Sequence, residues 1–204
     1  MATGASDFFF LDDRQRDTAR LPDATLRPAL AKPAHATGDV LTAHAHAALG
    51  PAGRPRWLFD LNGRPDLYDD DDDVRAYERK GRARDLHLRH LTKNRTPWYL
   101  VEHVTPPDVL LCPVGKTLHR VISNDASVVG SNNFYGIYMD PVAPWTAAQL
   151  AAWLRTPDGQ AALRQLARTY QGGSMKIEPR SLRGLLVPLP SPDEAPPHPP
   201  TPGP

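Results

Sequence analysis

A chain of 204 residues with 24 Lys and Arg against 23 Asp and Glu carries a formal net charge of +1, which excludes a uniformly basic nucleic-acid coat and leaves room for one ordinary domain. One cysteine, Cys112, excludes a disulfide framework and any multi-cysteine zinc site. No apolar run approaches the roughly 20 residues of a membrane span, and Met1-Ala2-Thr3-Gly4-Ala5 lacks the basic start of a signal peptide, so a soluble cytoplasmic protein without a membrane partner is expected.

In chain order, Phe8-Phe9-Phe10-Leu11 reads as a short buried strand, followed by a polar segment over 12–18. Residues 20–56 carry scattered Pro and Gly and little periodicity. Residues 56–61 (Arg-Trp-Leu-Phe-Asp-Leu) read as a second strand, closed by the turn signal Asn62-Gly63-Arg64-Pro65. A helix is expected over 72–84, with Val74, Tyr77 and Gly81 on one side. Strands are expected at 98–101, 109–112, 118–122, 127–129 and 134–138, the third alternating apolar and polar as a half-buried strand does.

Two helices follow. Thr146 and Gln149 have capping-box spacing, and Leu150, Trp153 and Leu154 share a face. Thr156-Pro157 supplies a second cap with proline at the first helical position, and Leu163, Leu166 and Tyr170 make a stripe. The apolar faces over 150–166 suit either a partner or the chain's own core. A short turn around Ser181-Leu182 leads to a closing strand at 185–187. From Pro188 on, nine of seventeen residues are proline, a composition that builds no core. The expected fold is α+β: a mixed, mostly antiparallel sheet with the C-terminal helices packed on it, one domain over 1–190 and an extended or disordered tail over 191–204.

The near-zero charge hides two opposed blocks. Asp66, the run from Asp69 to Asp73, and Glu78 are acidic, relieved by Arg75. Then Arg79, Lys80, Arg82, Arg84, Arg89, Lys93 and Arg95 stand against Asp85 alone. Such a stretch either neutralises phosphates or forms a solvated helix face. The aspartate run reads as a loop, since calcium loops space their ligands at alternate positions around a glycine turn. Cys112, inside an apolar run, reads as a buried inert thiol. The eight histidines show no HExxH spacing. Asp66, Glu78 and Lys80 match the loose PD…ExK pattern of magnesium-dependent nucleases, but basic flanks replace the apolar ones that such a site needs.

The ordered succession of short signals resembles the C-terminal target-recognition (specificity) region of adenine-specific DNA methyltransferases of type II restriction-modification systems, with a TaqI-like specificity domain and related regions in type I specificity subunits. It runs from Thr3-Gly4-Ala5-Ser6-Asp7-Phe8-Phe9 through Arg56-Trp57-Leu58 and Arg95-Thr96-Pro97-Trp98-Tyr99. It continues with Arg120-Val121-Ile122-Ser123-Asn124, Asn133-Phe134-Tyr135-Gly136-Ile137 and the helix at 150–156, and ends with Gly172-Gly173-Ser174-Met175-Lys176 and Leu185-Leu186-Val187-Pro188. The family's glycine-containing methyl-donor motif and its [ND]PP[YF] motif do not occur here.

The resemblance implies a reader of double-stranded DNA without catalytic residues of its own. S-adenosylmethionine is expected only on a methyltransferase catalytic subunit or domain that partners it. The candidate DNA contacts are Arg79, Lys80, Arg82, Arg84, Arg89, Lys93 and Arg95 for phosphates, with Tyr99 and Arg120 on adjacent predicted strands. Asn132 and Asn133 serve either the turn or an adenine edge, and Lys176 either a phosphate or solvent. Trp98 and Trp153 read as core. Two other readings stand beside this one: the nuclease, and a protein-interaction remnant without DNA binding.

Overall fold

The computed structural model describes residues 1–170 and 172–189; the predicted tail at 191–204 lies outside the described residues. In chain order the helices are α1 (Ser6–Phe9), α2 (Asp13–Ala19), α3 (Ala43–Ala47), α4 (Pro65–Asp70), α5 (Asp72–Ala83), α6 (Ala147–Arg155), α7 (Pro157–Leu166) and α8 (Pro179–Leu182). The strands are β1 (Phe10–Leu11), β2 (Leu26–Leu30), β3 (Trp57–Phe59), β4 (Val109–Leu111), β5 (Val114–Gly115), β6 (Val121–Ser123), β7 (Val129–Gly130), β8 (Tyr135–Ile137), β9 (Ala167–Thr169) and β10 (Met175–Ile177). The fold is α+β. Among the described residues its strands form three small sheets, ordered β1-β3-β2-β7, β6-β4-β8 and β5-β10-β9, where one mixed sheet was expected. Every named pairing is antiparallel except β2 with β7.

The predicted first strand divides into the helical turn α1 and the two-residue β1. All four side chains are buried, and a short continuous apolar run is compatible with either conformation. Asp12 caps α2 in a full capping box: its Oδ1 accepts from the Gln15 amide at 2.7 Å, and Gln15 Oε1 accepts from the Asp12 amide at 2.9 Å. The unpredicted β2 lies inside the first sheet, between β3 and β7. Phe8, Phe9, Phe59, Val74, Leu86 and Trp98 fill the core beneath it.

Strand β4 is buried on both faces. Leu110, with Ile122 of β6, points into a middle core of Leu30, Leu41, Val128 and Phe134. Val109, Leu111 and Val121 point the other way, onto Leu150, Leu154, Leu163 and Ile177. The period-two alternation of side chains joins two cores through one strand. The predicted caps of α6 and α7 are present: Thr146 and Gln149 close a capping box, and Thr156 Oγ1 accepts from the Gly159 amide at 3.2 Å. The stripe over 150–166 packs inside this chain, so its buried leucines are not a free surface for a partner.

Three strand expectations and one helix expectation change. Residues 98–101 form a turn and irregular chain, with Trp98 and Val101 buried in the first core. Arg120 precedes β6, which begins at Val121. Tyr170 lies beyond α7, because 167–169 turn into β9 and pair with β10. Residues 185–187 form no strand; Leu185 and Val187 rest half-buried on the third core.

Candidate nucleic-acid interface

The acidic-then-basic order of 69–84 is the order that a helix macrodipole favours. Asp71 Oδ1 accepts from the amides of Asp73 and Val74 at 2.9 Å each. Asp72 and Asp73 occupy the first turn of α5, and Lys80 and Arg82 the last. Val74, Glu78 and Gly81 are buried. Trp98 closes over this face. Its Nε1 donates to Glu78 Oε1 at 2.5 Å, and its ring passes so near Gly81 that a Cβ there would sit 2.5 Å from Trp98 Cη2. Tyr77 stacks on Phe8 at 4.6 Å and donates to the Phe8 carbonyl at 2.6 Å; burial raises its phenol pKa. With one face pinned to the core, Arg79 and Lys80 are turned to solvent.

The chain after α5 is braced at several points. Asp85 adopts a left-handed conformation, φ 54°. Leu86 is fully buried, and Thr92 Oγ1 donates to the carbonyls of Leu86 and Arg89. Arg84 pairs with Asp7 of α1, and Arg89 donates to the Gly4 carbonyl at 3.3 Å. Arg95 donates to the carbonyls of Thr3 at 3.0 Å and Ala2 at 2.7 Å; burial lowers its pKa from the ordinary value. The result is a fixed promontory with Arg79, Lys80, Arg82, Arg84, Arg89 and Lys93 exposed on it. Arg82 is paired with Glu78 at 3.0 Å. Among the described residues, Arg79, Lys80 and Lys93 enter no ion pair within 4 Å. Alongside, α2 and α5 enclose an open groove of about 680 Å³, with Arg14, Lys80 and Arg84 among its lining residues. Arg14 was not singled out in the sequence, although the Asp12–Gln15 capping spacing marks the helix that presents it.

The other candidate residues are not brought to this promontory by any contact seen here. Tyr99 is half-buried and stacks on Tyr68 at 4.8 Å; burial raises its pKa. Neither Tyr99 nor Arg120 lies on a strand. Arg120 donates to the carbonyls of Pro33 and Ala36 at 2.5 Å each and of Gly38 at 2.9 Å, fastening the 33–38 loop. Asn133 donates from Nδ2 to the Ala31 carbonyl and Ser131 Oγ at 3.0 Å each, while Asn132 is exposed. Lys176 is on β10 and pairs with Glu178 at 3.0 Å.

The PD…ExK residues do not assemble. Asp66 is exposed on α4 and pairs with Arg64. Glu78 points inward to Trp98 and Arg82, whereas Lys80, about 200° further round the same helix, points out. Among the described residues no group of three His, Cys, Asp or Glu side chains is placed to hold a metal ion. Cys112 is buried, and burial pushes its thiol up to about 11, away from nucleophilic chemistry at neutral pH. No helix among the described residues is long and apolar enough to cross a membrane.

Residues 1–198 match the family described as the C-terminal domain of type II methyltransferase M.Eco57I. The chain belongs to that family. A relative, the type II methyltransferase M.AccI of Acinetobacter calcoaceticus, is 23% identical over 192 residues, covering 93% of this chain and 35% of its own length. This member of the family thus spans about a third of that curated relative. No solved structure matches it. The one parallel strand pair among the described residues, β2 and β7, runs on into Ala31-Lys32-Pro33 and Ser131-Asn132-Asn133, without the glycine-rich turn that cradles a nucleoside in parallel-sheet folds.

Proposed function

We propose that this chain is the target-recognition part of an adenine-specific type II DNA methyltransferase, with a TaqI-like specificity role, and that it grips duplex DNA while chemistry proceeds on a separate catalytic domain or subunit. S-adenosylmethionine belongs to that partner. The observation that carries the reading is the braced promontory of exposed Arg79, Lys80, Arg84, Arg89 and Lys93 in a member of a methyltransferase C-terminal family. Cations on a braced backbone neutralise phosphates without the cost of ordering the chain that carries them. Phosphate contacts set the register, and a few neighbouring side chains read base edges. Lys80, Arg79 and Lys93 serve the backbone, and the exposed Asn132 is a base-reading candidate on the β7–β8 turn. Arg82 has part of its charge neutralised by Glu78, Arg95 supports the surface from beneath, and Arg120 serves the 33–38 loop elsewhere.

Fluorescence anisotropy with a labelled duplex, titrated across salt concentrations, tests this. Affinity falls steeply with salt, and the double charge reversal Lys80→Glu and Lys93→Glu weakens binding to every sequence tried. Binding that is undetectable, or indifferent to salt and to both reversals, removes the reading.

A further inference from the structure

The promontory carries an apolar tip. Leu88 ends the short 3-10 turn Leu86–Leu88 with 62% of its surface exposed, and Leu91, three residues on, is 43% exposed. Arg89 and Lys93 are beside them, with Arg84 at the base of the turn. Asp7 is engaged by Arg84, and Asp85 is the acidic residue within the 84–95 segment itself. Arg89 donates to a backbone carbonyl, so its charge is uncompensated.

An exposed leucine alone means little. This tip differs because it is held rigid. Leu86 is anchored at full burial, Thr92 Oγ1 ties the two ends of the turn, and Arg95 clamps the chain beyond it. Gly4 packs beneath so closely that a Cβ there would lie 3.0 Å from Leu91 Cβ. An apolar point flanked by cations on a braced backbone is complementary to one surface above others: a groove whose walls are phosphates and whose floor is the edges of stacked base pairs.

Resting on the DNA-recognition reading, we propose that Leu88, supported by Leu91, is a wedge that enters between two base pairs and loosens their stacking, while Arg89 and Lys93 hold the flanking phosphates. The wedge makes the bound duplex locally unstacked and kinked. It lowers the cost of extruding a base toward a catalytic partner.

The test uses the full 204-residue chain. A duplex is selected by the chain from a pool with a randomised centre, and 2-aminopurine is then placed at each adenine in turn. Wild type binds in a salt-dependent way and raises the fluorescence at one or two adjacent positions by several-fold, as unstacking does. Leu88→Ala removes most of that rise. Its affinity changes by less than about tenfold, because the leucine burial it forgoes is offset by the unstacking it no longer causes. Leu88→Phe keeps the rise. Thermal unfolding midpoints of the variants match wild type, since the side chain is exposed. Salt-dependent binding with no rise at any position, or a rise that Leu88→Ala leaves intact, overturns the wedge and leaves DNA recognition standing. Absence of DNA binding by wild type overturns both.

Discussion

Glu78 shows how a side chain's partners decide what its letters mean. In the sequence it heads Glu-Arg-Lys and suggests a metal site; in the fold it is 2% exposed and receives the Trp98 indole N–H and the Arg82 guanidinium. A pattern of residue types does not state which face each member occupies, and residues 78 and 80 of one helix face opposite ways. Glu78→Ala strands the buried Trp98 N–H and lowers the unfolding free energy by about 2–4 kcal/mol in urea titrations, whereas Glu78→Gln, which still accepts from the indole, costs about half as much. Gly81 gives a second test, with a sign opposite to helix propensity. Alanine is the better helix former by about 1 kcal/mol. At Gly81 its methyl would meet Trp98 at 2.5 Å and Phe8 at 2.8 Å. Gly81→Ala therefore lowers the melting temperature, and a rise would show that the Trp98 contact yields freely.

At the scale of elements, what was legible was local. The caps at Thr146 and Thr156, the helix at 72–83 and the strand at 109–111 each follow from neighbours within a few positions. β2 was missed because Pro28 sits inside it, and proline argues against a central strand; yet Pro28 is exposed and pairs in register with Trp57. Residues 98–101 were misread for the opposite reason. Their aromatic β-propensity reflects tertiary packing, Trp98 on α5 and Tyr99 on Tyr68, and not a ladder. The candidate site divides in the same way. The cationic run was visible, but its division into outward charges and internal staples depends on carbonyls 82 to 93 positions distant in sequence, beyond any local pattern. Arg120 is the clearest case. Arg120→Lys gives up the planar fork that holds three carbonyls, so amide exchange in the 33–38 loop accelerates by about tenfold or more. The slope of log affinity for DNA against log salt is unchanged in that variant, whereas Lys80→Ala reduces it by about 1. Equal slope changes in the two variants would return Arg120 to the DNA surface.

Over the whole molecule, two buried imidazoles tie stability to pH. His46 Nε2 lies 3.2 Å from the Ala29 carbonyl and 3.1 Å from that of Arg56, so it must carry the ring proton shared between them. His119 Nδ1 lies 3.3 Å from the Cys112 carbonyl, which assigns its proton to that nitrogen and leaves Nε2 buried without a partner. Gln160 brackets the same residue, accepting from its amide and donating to its carbonyl at 2.8 Å each, which fixes the backbone that carries the ring. Burial is the main cause holding both histidines below their ordinary value of 6.5, with Arg56 and Arg164 adding repulsion. The unfolded chain therefore takes up protons first as pH falls. The contribution is present in full above pH 6.5 and declines as the pH drops from there toward the depressed folded values. Unfolding free energies measured from pH 7.5 to 5 decline on the acid side in wild type. His119→Asn presents an amide N–H toward the Cys112 carbonyl and has nothing to protonate, so its curve is flatter over the same range, and adding His46→Gln flattens it further. A double variant as acid-sensitive as wild type would locate the proton uptake in other groups, and these two rings would then be packing residues alone.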